Sequence, residues 1–239
     1  MALTTDLEAY YKLDETSGTV VEDATGNIDA TNNGATVNQA GIIDKSYDFE
    51  HSGYLTTDSS FTFGTEITMS GWVYIENQVE AFAIVSKTSD DTNDLALEVY
   101  NGEPYIILGN SIFVGMGSAM SINTWHHVVG TYDGTTMKIY VDNDLKNSGT
   151  SFSGNVADSI LYIGWDRGIA GRFLTGKIDE VGIWSRALNS TEVTELYNSG
   201  SGLAYPFVTD VTKVVSALTL STTDEYPTLI TTVPEAHSP

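Results

Sequence analysis

Two stretches of this chain hold side chains whose types and spacing could do chemistry together. Gly164-Trp165-Asp166-Arg167-Gly168 sets an indole, a carboxylate and a guanidinium side by side, and Arg172 adds a donor nearby. A sugar ring offers an apolar face that stacks on indole and a hydroxyl rim that needs charged or amide partners, so this loop points to carbohydrate recognition. The same residues also fit a Trp165 tucked against a sheet with Asp166 and Arg167 as an exposed pair. In the second stretch, Asp23-Ala24-Thr25-Gly26-Asn27, the glycine lets the chain turn the oxygens of Asp23 and Asn27 toward one point. Ca²⁺ takes about six to eight oxygen ligands, so backbone carbonyls near Gly26 and His51 would have to complete a shell. Asp23 and Asn27 alternatively cap their own backbone as turn residues.

Other candidates are weaker. Asp90-Asp91-Thr92-Asn93-Asp94 is rich in carboxylates but lacks the glycine an EF-hand-type loop requires, and reads as a solvated connection between strands. His126 and His127 are adjacent, so on a strand they point to opposite faces and cannot share a metal. No Gly-x-Ser-x-Gly elbow and no His-Glu-x-x-His motif occurs. A glycosidase needs two carboxyl groups about 5 to 9.5 Å apart across a cleft. The sequence offers only Glu76 with Glu80 and Asp179 with Glu180. The expectation is a binding protein rather than an enzyme, with no catalytic residue assigned.

The elements that position these loops are strands. Trp125 to Asp142 spells a hairpin: Val128, Gly130 and Tyr132 share a face with His126, while Val129 and Thr131 share the other with His127. Asp133-Gly134 makes the turn, and Met137, Ile139 and Val141 form an apolar stripe on the returning strand. Similar short runs at Leu7 to Leu13, Ser46 to Phe49, Tyr54 to Thr56, Ile67 to Ile75, Ala81 to Lys87, Leu95 to Tyr100, Tyr105 to Leu108, Ile112 to Val114, Leu161 to Gly164 and Gly176 to Trp184 make about a dozen strands, as in an antiparallel sandwich. A polar loop is expected from Asp23 to Gly34. One helix is expected, with Asn189 as N-cap, Glu192 completing a capping box, Gly200 closing the far end, and Val193, Leu196 and Tyr197 facing the sandwich.

Composition bounds the partners. With 32 acidic and 10 basic residues the net charge is −22, a field that repels phosphate backbones and anionic headgroups. Nucleic acid and membrane insertion are therefore not expected. The 239 residues hold no cysteine, so packing and at most a metal must supply stability. Residues 1–6 have no basic or apolar leader character, and no apolar run reaches membrane-span length. Beyond Leu203 the composition shifts: Val208 to Leu220 is β-prone and Thr-rich, and Pro227, Pro234 and Pro239 punctuate the remaining residues. The chain thus divides into a folded domain over 1–203 and an extended arm over 204–239, which is either disordered or orders on a neighbouring copy or structural protein by strand addition, the Val, Leu and Ile content favouring the second.

Several segments together, in order, resemble laminin-G-like jelly-roll domains of the concanavalin A-like lectin/glucanase superfamily. They are Tyr10-Tyr11-Lys12-Leu13-Asp14-Glu15 with Gly18, the Asp23 to Asn27 loop, Ser46 to Phe49, Gly71-Trp72-Val73, the Trp125 to Asp142 hairpin, and Phe173 through Gly176-Lys177-Ile178-Asp179-Glu180-Val181 to Leu188. The match runs from about Leu7 to Tyr197. Asn143 stands where the family usually has Gly, and residues after Gly200 have no counterpart. The resemblance implies an all-β fold, a two-sheet antiparallel jelly-roll sandwich with one short C-terminal helix. It also implies frequent structural calcium, with the Asp23 loop approaching the Gly-x-Ile-Asp-Glu strand, so that Asp23, Asn27 and Asp179 would share a Ca²⁺. Related glucanases carry Glu-x-Asp-x-x-Glu or a close variant on one strand, a pattern absent here. The resemblance also implies a role in carbohydrate or protein recognition. Together with Trp165, Asp166, Arg167 and Arg172 as ligand contacts, it leads to the expectation of a non-catalytic, calcium-stabilised glycan- or cell-surface-recognition module, and the lack of leader character and of cysteine and the long arm point to display on a virion or cell surface. A virion decoration or fibre protein held by its arm is the alternative, and a glycoside hydrolase a distant third.

Overall fold

In the computed structural model the described residues are 2–77, 81–87, 94–109, 112–150, 152, 158–166 and 170–208. The chain divides into two units, Met1–Phe207 and Val208–Pro239. Apart from Val208, the second unit lies outside the described residues.

The first unit is an all-β sandwich. In chain order its strands are β1 Leu7–Tyr11, β2 Val20–Val21, β3 Ala30–Asn32, β4 Thr36–Ala40, β5 Lys45–Asp48, β6 Leu55–Thr57, β7 Ile67–Ile75 and β8 Ala81–Lys87. They continue as β9 Asp94–Tyr100, β10 Glu103–Gly109, β11 Ile112–Gly115, β12 Trp125–Tyr132, β13 Met137–Val141, β14 Asp144–Gly149, β15 Leu161–Ile163 and β16 Gly176–Trp184. The first sheet runs β14-β13-β12-β7-β16-β5-β4, with β1 also on β16; the second runs β11-β10-β9-β8-β15-β6-β3-β2. All pairings are antiparallel.

Alternation along each strand builds the core. Ile67, Met69, Val73 and Ile75 of β7, with Val128 and Tyr132 of β12 and Met137, Ile139 and Val141 of β13, enter one cluster with Leu95, Leu97, Val99 and Ile106 from the facing sheet. The hairpin stripe read from the sequence is thus a core stripe. The opposite parity forms a second, smaller cluster on the first sheet's outer face, where Tyr10, Val129, Tyr140 and Trp184 lie beneath Leu188, Val193 and Leu196.

A helix α1, Ser190–Tyr197, covers that face. Asn189 accepts from the amides of Thr191 and Glu192, and Glu192 accepts in turn from the Asn189 amide, as the capping box requires. The C-cap is Asn198, in the left-handed conformation, rather than Gly200, because Asn tolerates that region and its amide reaches the Thr194 carbonyl. Trp72 stacks on His127 and on Tyr197 under the helix; Trp72 and Trp184 are buried, while Trp125 is only half-buried.

The expected polar loop from Asp23 to Gly34 contains β3, and β4 and β14 also went unread. Their sequences, Thr36-Val37-Asn38-Gln39-Ala40 and Asp144 to Gly149, are polar because each is a sheet edge with few groups to bury. Leu203 belongs to the second cluster, and Tyr205 and Phe207 pack on it; Tyr205 stacks on Tyr10 at 5.8 Å, so the folded unit extends past the expected boundary at 203. Among the described residues no helix is long and apolar enough to cross a membrane.

Candidate functional site

The loop around Trp165 is built at the end of β15. Gly164 has φ +82°, a left-handed turn that suits glycine, and its amide donates to the Ala83 carbonyl. An isolated bridge pairs Trp165 with Phe173, the Asp166 amide donates to the Arg172 carbonyl, and the Leu174 amide returns to Gly164. The excursion is therefore a narrow ladder with Trp165 at its base. A Cβ on Gly164 would lie against the edge of the Phe49 ring. Gly164→Ala should therefore lower stability by about 1–3 kcal/mol, from strain and overpacking, read as a shifted urea midpoint.

Four aromatic rings meet at this ladder. Trp165 stacks on Phe173 at 5.1 Å with 12° between planes, leans on Tyr54 at 4.6 Å, and meets Tyr162 edge-on at 5.1 Å. All four are half-buried, each presenting part of its ring to solvent. Tyr162 reaches this place because it pairs with Thr56 on one side and Ser86 on the other, which sends its side chain to the second sheet's outer face, while Leu161 and Ile163 fill the core.

Asp166 is not at the surface. It is fully buried and accepts from Arg172 Nη1 at 2.7 Å, so it anchors the Arg172 guanidinium. Arg172 keeps 36% of its side chain exposed, enough to offer its remaining N–H groups outward. Arg167 lies outside the described residues. Tyr54 was missed in the sequence because it comes from far along the chain, and Tyr162 and Phe173, though near Trp165 in sequence, because their place beside it depends on strand pairing and on the Trp165–Phe173 bridge.

The expected cation ligands occupy different surroundings. Asp23 Oδ1 accepts from the amides of Tyr10 and Thr25, and its Oδ2 from the Thr25 hydroxyl and the amides of Asn27 and Ile28. Five donors thus converge on one carboxylate, the turn-capping role that the sequence allowed. Asn27 donates its side-chain amide to the Glu8 carbonyl. Asp179 Oδ2 instead accepts from the amides of Ile42 and Ile43. Among the described residues no three His, Cys, Asp or Glu side chains converge as a metal site would need. Residues 90–93 of the acidic cluster lie outside the described residues, and Asp94 opens β9.

Asp179 and Glu180 form a buried acidic pair at a β-bulge in β16, where Glu180 takes a φ of +51° and the register against β7 shifts before Gly182. Asp179 Oδ1 and both Glu180 carboxylate oxygens are buried with no well-formed hydrogen bond. Burial, and for Asp179 the neighbouring Glu180 charge, push their carboxyls up to about 9 and about 8, so both are neutral at pH 7. The Tyr10 hydroxyl, near Glu180, pulls that carboxyl the other way without offsetting its burial.

Two further features surround the sandwich. On the second sheet's outer face, Tyr100, Tyr105, Ile107, Phe113 and Glu98 line a hollow of about 260 Å³. A more polar cleft of about 550 Å³ lies between Lys12, Asp14, Glu15 and Glu22 on one side and Tyr205 and Pro206 on the other.

Comparison with known proteins agrees with this architecture. The rat protein named sushi, von Willebrand factor type A, EGF and pentraxin domain-containing protein 1 is 26% identical over 189 residues, 69% of this chain. The chain spans only 5% of that relative's length. Domain 4 of AbnA, an extracellular arabinanase of Geobacillus stearothermophilus solved with arabinotriose, superposes with a TM-score of 0.68 at 22% identity, covering 80% of this chain and 97% of that domain. A botulinum neurotoxin type C structure, whose cell entry depends on interaction with two ganglioside molecules, superposes at 0.62 and 12% identity, over 81% of this chain and 51% of its own. These structural likenesses show the fold. The Laminin_G_3 family, described as the concanavalin A-like lectin/glucanases superfamily, matches residues 49–194, over half of the sequence, and this chain belongs to that family.

Proposed function

We propose that this chain is an extracellular carbohydrate-recognition module, one that holds a sugar ring on the Tyr54, Tyr162, Trp165 and Phe173 patch and does not cleave glycosidic bonds. The observation that carries the reading is the patch itself: four half-buried rings packed into one surface. Such a surface stacks on the apolar face of a pyranose or furanose. The arabinotriose and ganglioside partners of the two fold neighbours support a glycan as the ligand class. A charge of −22 favours neutral over anionic sugars. Calcium is not part of this reading, because the Asp23 carboxylate already accepts five hydrogen bonds.

Trp165→Ala should weaken binding on a glycan array at least about tenfold, equivalent to about 1.4 kcal/mol, with the fold retained by circular dichroism. Phe113→Ala, on the separate hollow, should bind as the parent does. Unchanged binding by the Trp165 variant would sink the assignment.

A second reading concerns assembly and display on a virion or cell surface. Its support is the β-prone stretch Val208 to Leu220, rich in Val and Leu, together with the exposed edge strand β14 of the folded unit, which offers unpaired backbone groups to an added strand. Light scattering should find an oligomer for the whole chain and a monomer after truncation at Phe207. A monomer in both forms would remove this second reading without touching the first.

A further inference from the structure

We propose that Ser121, His126 and Asp142 form an acyl-transfer site on the loop before β12, with Ser121 as the nucleophile. The site lies at the end of the β12–β13 hairpin, whereas the aromatic patch belongs to the other sheet.

The three residues stand 5 and 16 apart in sequence, and the hairpin brings them together. Val128 pairs with Val141, so the chain beyond β13 runs alongside the start of β12. There the Asp142 amide donates to the His127 carbonyl, and Asp142 Oδ1 accepts from the His127 amide at 3.0 Å. Held at both backbone and side chain, Asp142 directs Oδ2 at His126 Nδ1, 2.7 Å away. Burial would raise the Asp142 carboxyl, but bonds from His126 and the His127 amide hold it below its usual range, so it is ionised at neutral pH. An ionised carboxylate at Nδ1 favours the tautomer protonated there, in which Nε2 accepts from the Ser121 hydroxyl; a protonated Nε2 would instead donate to the Ser121 carbonyl oxygen. Nε2 stands 2.8 Å from Ser121 Oγ and 3.2 Å from the Ser121 carbonyl oxygen. His126 is buried, yet Ser121 is exposed, so the nucleophile meets solvent while its base is shielded.

Loop anchoring does not account for this arrangement. The Met120 amide donates to the carbonyl of Gly102, in the turn between β9 and β10, and the Asn123 amide to the carbonyl of Ile75 at the end of β7, so the backbone on either side of Ser121 is already tied down. The relay of carboxylate, imidazole and hydroxyl is additional to those ties, and it has the hydrogen-bonded order of an activated serine.

The fitting substrate class is a carboxylic ester with an accessible carbonyl. Ser121 Oγ attacks the carbonyl carbon as its proton passes to His126 Nε2. The tetrahedral oxyanion collapses, the bond to the leaving alcohol breaks, and His126 protonates that oxygen. Water, deprotonated by His126, then attacks the acyl-Ser121 ester; the bond to Ser121 Oγ breaks, Oγ takes the proton back from His126 Nε2, and a carboxylic acid is released. The sum is ester plus water to acid plus alcohol, with no change of oxidation state. Asp142 is a positioning residue, acting through His126.

The test incubates the full-length protein with a fluorophosphonate probe and follows covalent labelling by intact mass and peptide mapping, alongside p-nitrophenyl acetate hydrolysis. Wild type should carry one adduct, on Ser121, and release p-nitrophenolate. Ser121→Ala should lose both, and His126→Gln should label at least about 100-fold more slowly, the scale of lost general-base catalysis. Asp142→Asn should label slowly and Asp142→Glu, which restores a carboxylate, should recover much of the rate; a loss confined to loop packing would not be rescued by the longer acid. Melting midpoints show that the variants are folded. A wild type that takes no adduct, an adduct that persists in Ser121→Ala, or labelling of His126→Gln at the parent rate overturns the proposal. None of these results bears on glycan binding at Trp165.

Discussion

Thermal stability should fall steadily as pH rises from 6 to 9, and Asp179→Asn or Glu180→Gln should flatten that fall. The cause is two carboxyls buried side by side with three oxygens that make no well-formed hydrogen bond. Burial is the main influence on both, and the Glu180 charge further raises Asp179 against the opposing amides of Ile43 and Ile42. Their folded values, about 9 and about 8, lie above the unfolded 3.8 and 4.5. Between those limits the folded state binds more protons than the unfolded state, so the derivative of unfolding free energy with pH is negative. The stabilisation from these groups is complete below about pH 4 and is lost as pH rises through the folded values, with a slope up to about 1.4 kcal/mol per pH unit for each group. An amide cannot ionise, and at Asp179 its oxygen can still accept from Ile42 and Ile43. Differential scanning calorimetry across this range should show both variants melting above the parent at pH 9. A parent midpoint that stays level from pH 6 to 9 would contradict this account.

Glu192→Ala should lower stability by about 3–5 kcal/mol, because it leaves a buried guanidinium without its counter-charge. Arg186 donates through Nη1 and Nη2 to the two Glu192 oxygens, each at 2.9 Å, and its Nε and Nη2 also reach the carbonyls of Thr5 and Ala2. Only 2% of Glu192 and 8% of Arg186 are exposed. Burial would raise the Glu192 carboxyl, but the Arg186 hydrogen bonds and the Asn189 amide hold it below its usual range. One carboxylate therefore closes the capping box of α1 and ties the helix to the chain just after β16 and to the N-terminal segment. For a chain of this size such a loss moves the melting midpoint by about 10 °C. Arg186→Met with Glu192→Leu should recover much of it, since replacing both partners leaves no unpaired charge. If the single variant melts within about 2 °C of the parent, the pair behaves as a surface ion pair worth under about 1 kcal/mol.

Local rules carried much of this chain. Alternation placed Val128, Tyr132, Met137, Ile139 and Val141 on the core face and sent His126 and His127 apart, because strand parity is a property of the backbone alone. The capping box was legible for the same reason, since Asn189 and Glu192 satisfy amides within three residues of themselves. Edge strands β4 and β14 escaped because an edge needs no apolar pattern, and the C-cap moved to Asn198 because Asn as well as Gly can take the left-handed turn.

Sites were another matter. Trp165 could be singled out by its neighbours in sequence, but whether Asp166 faces a ligand or the interior depends on Arg172 folding back across the Trp165–Phe173 bridge. The Ser121, His126 and Asp142 relay depends on hairpin register, and the Asp179–Glu180 pair on a bulge at which both carboxyls are buried. By itself the sequence determined the strand pattern, the helix start and the acidic surface, all settled by interactions within a few residues or by composition. Only the tertiary structure decided which polar groups are solvated, caged by amides or buried together, since desolvation and hydrogen bonding depend on neighbours that the chain brings in from far along its length.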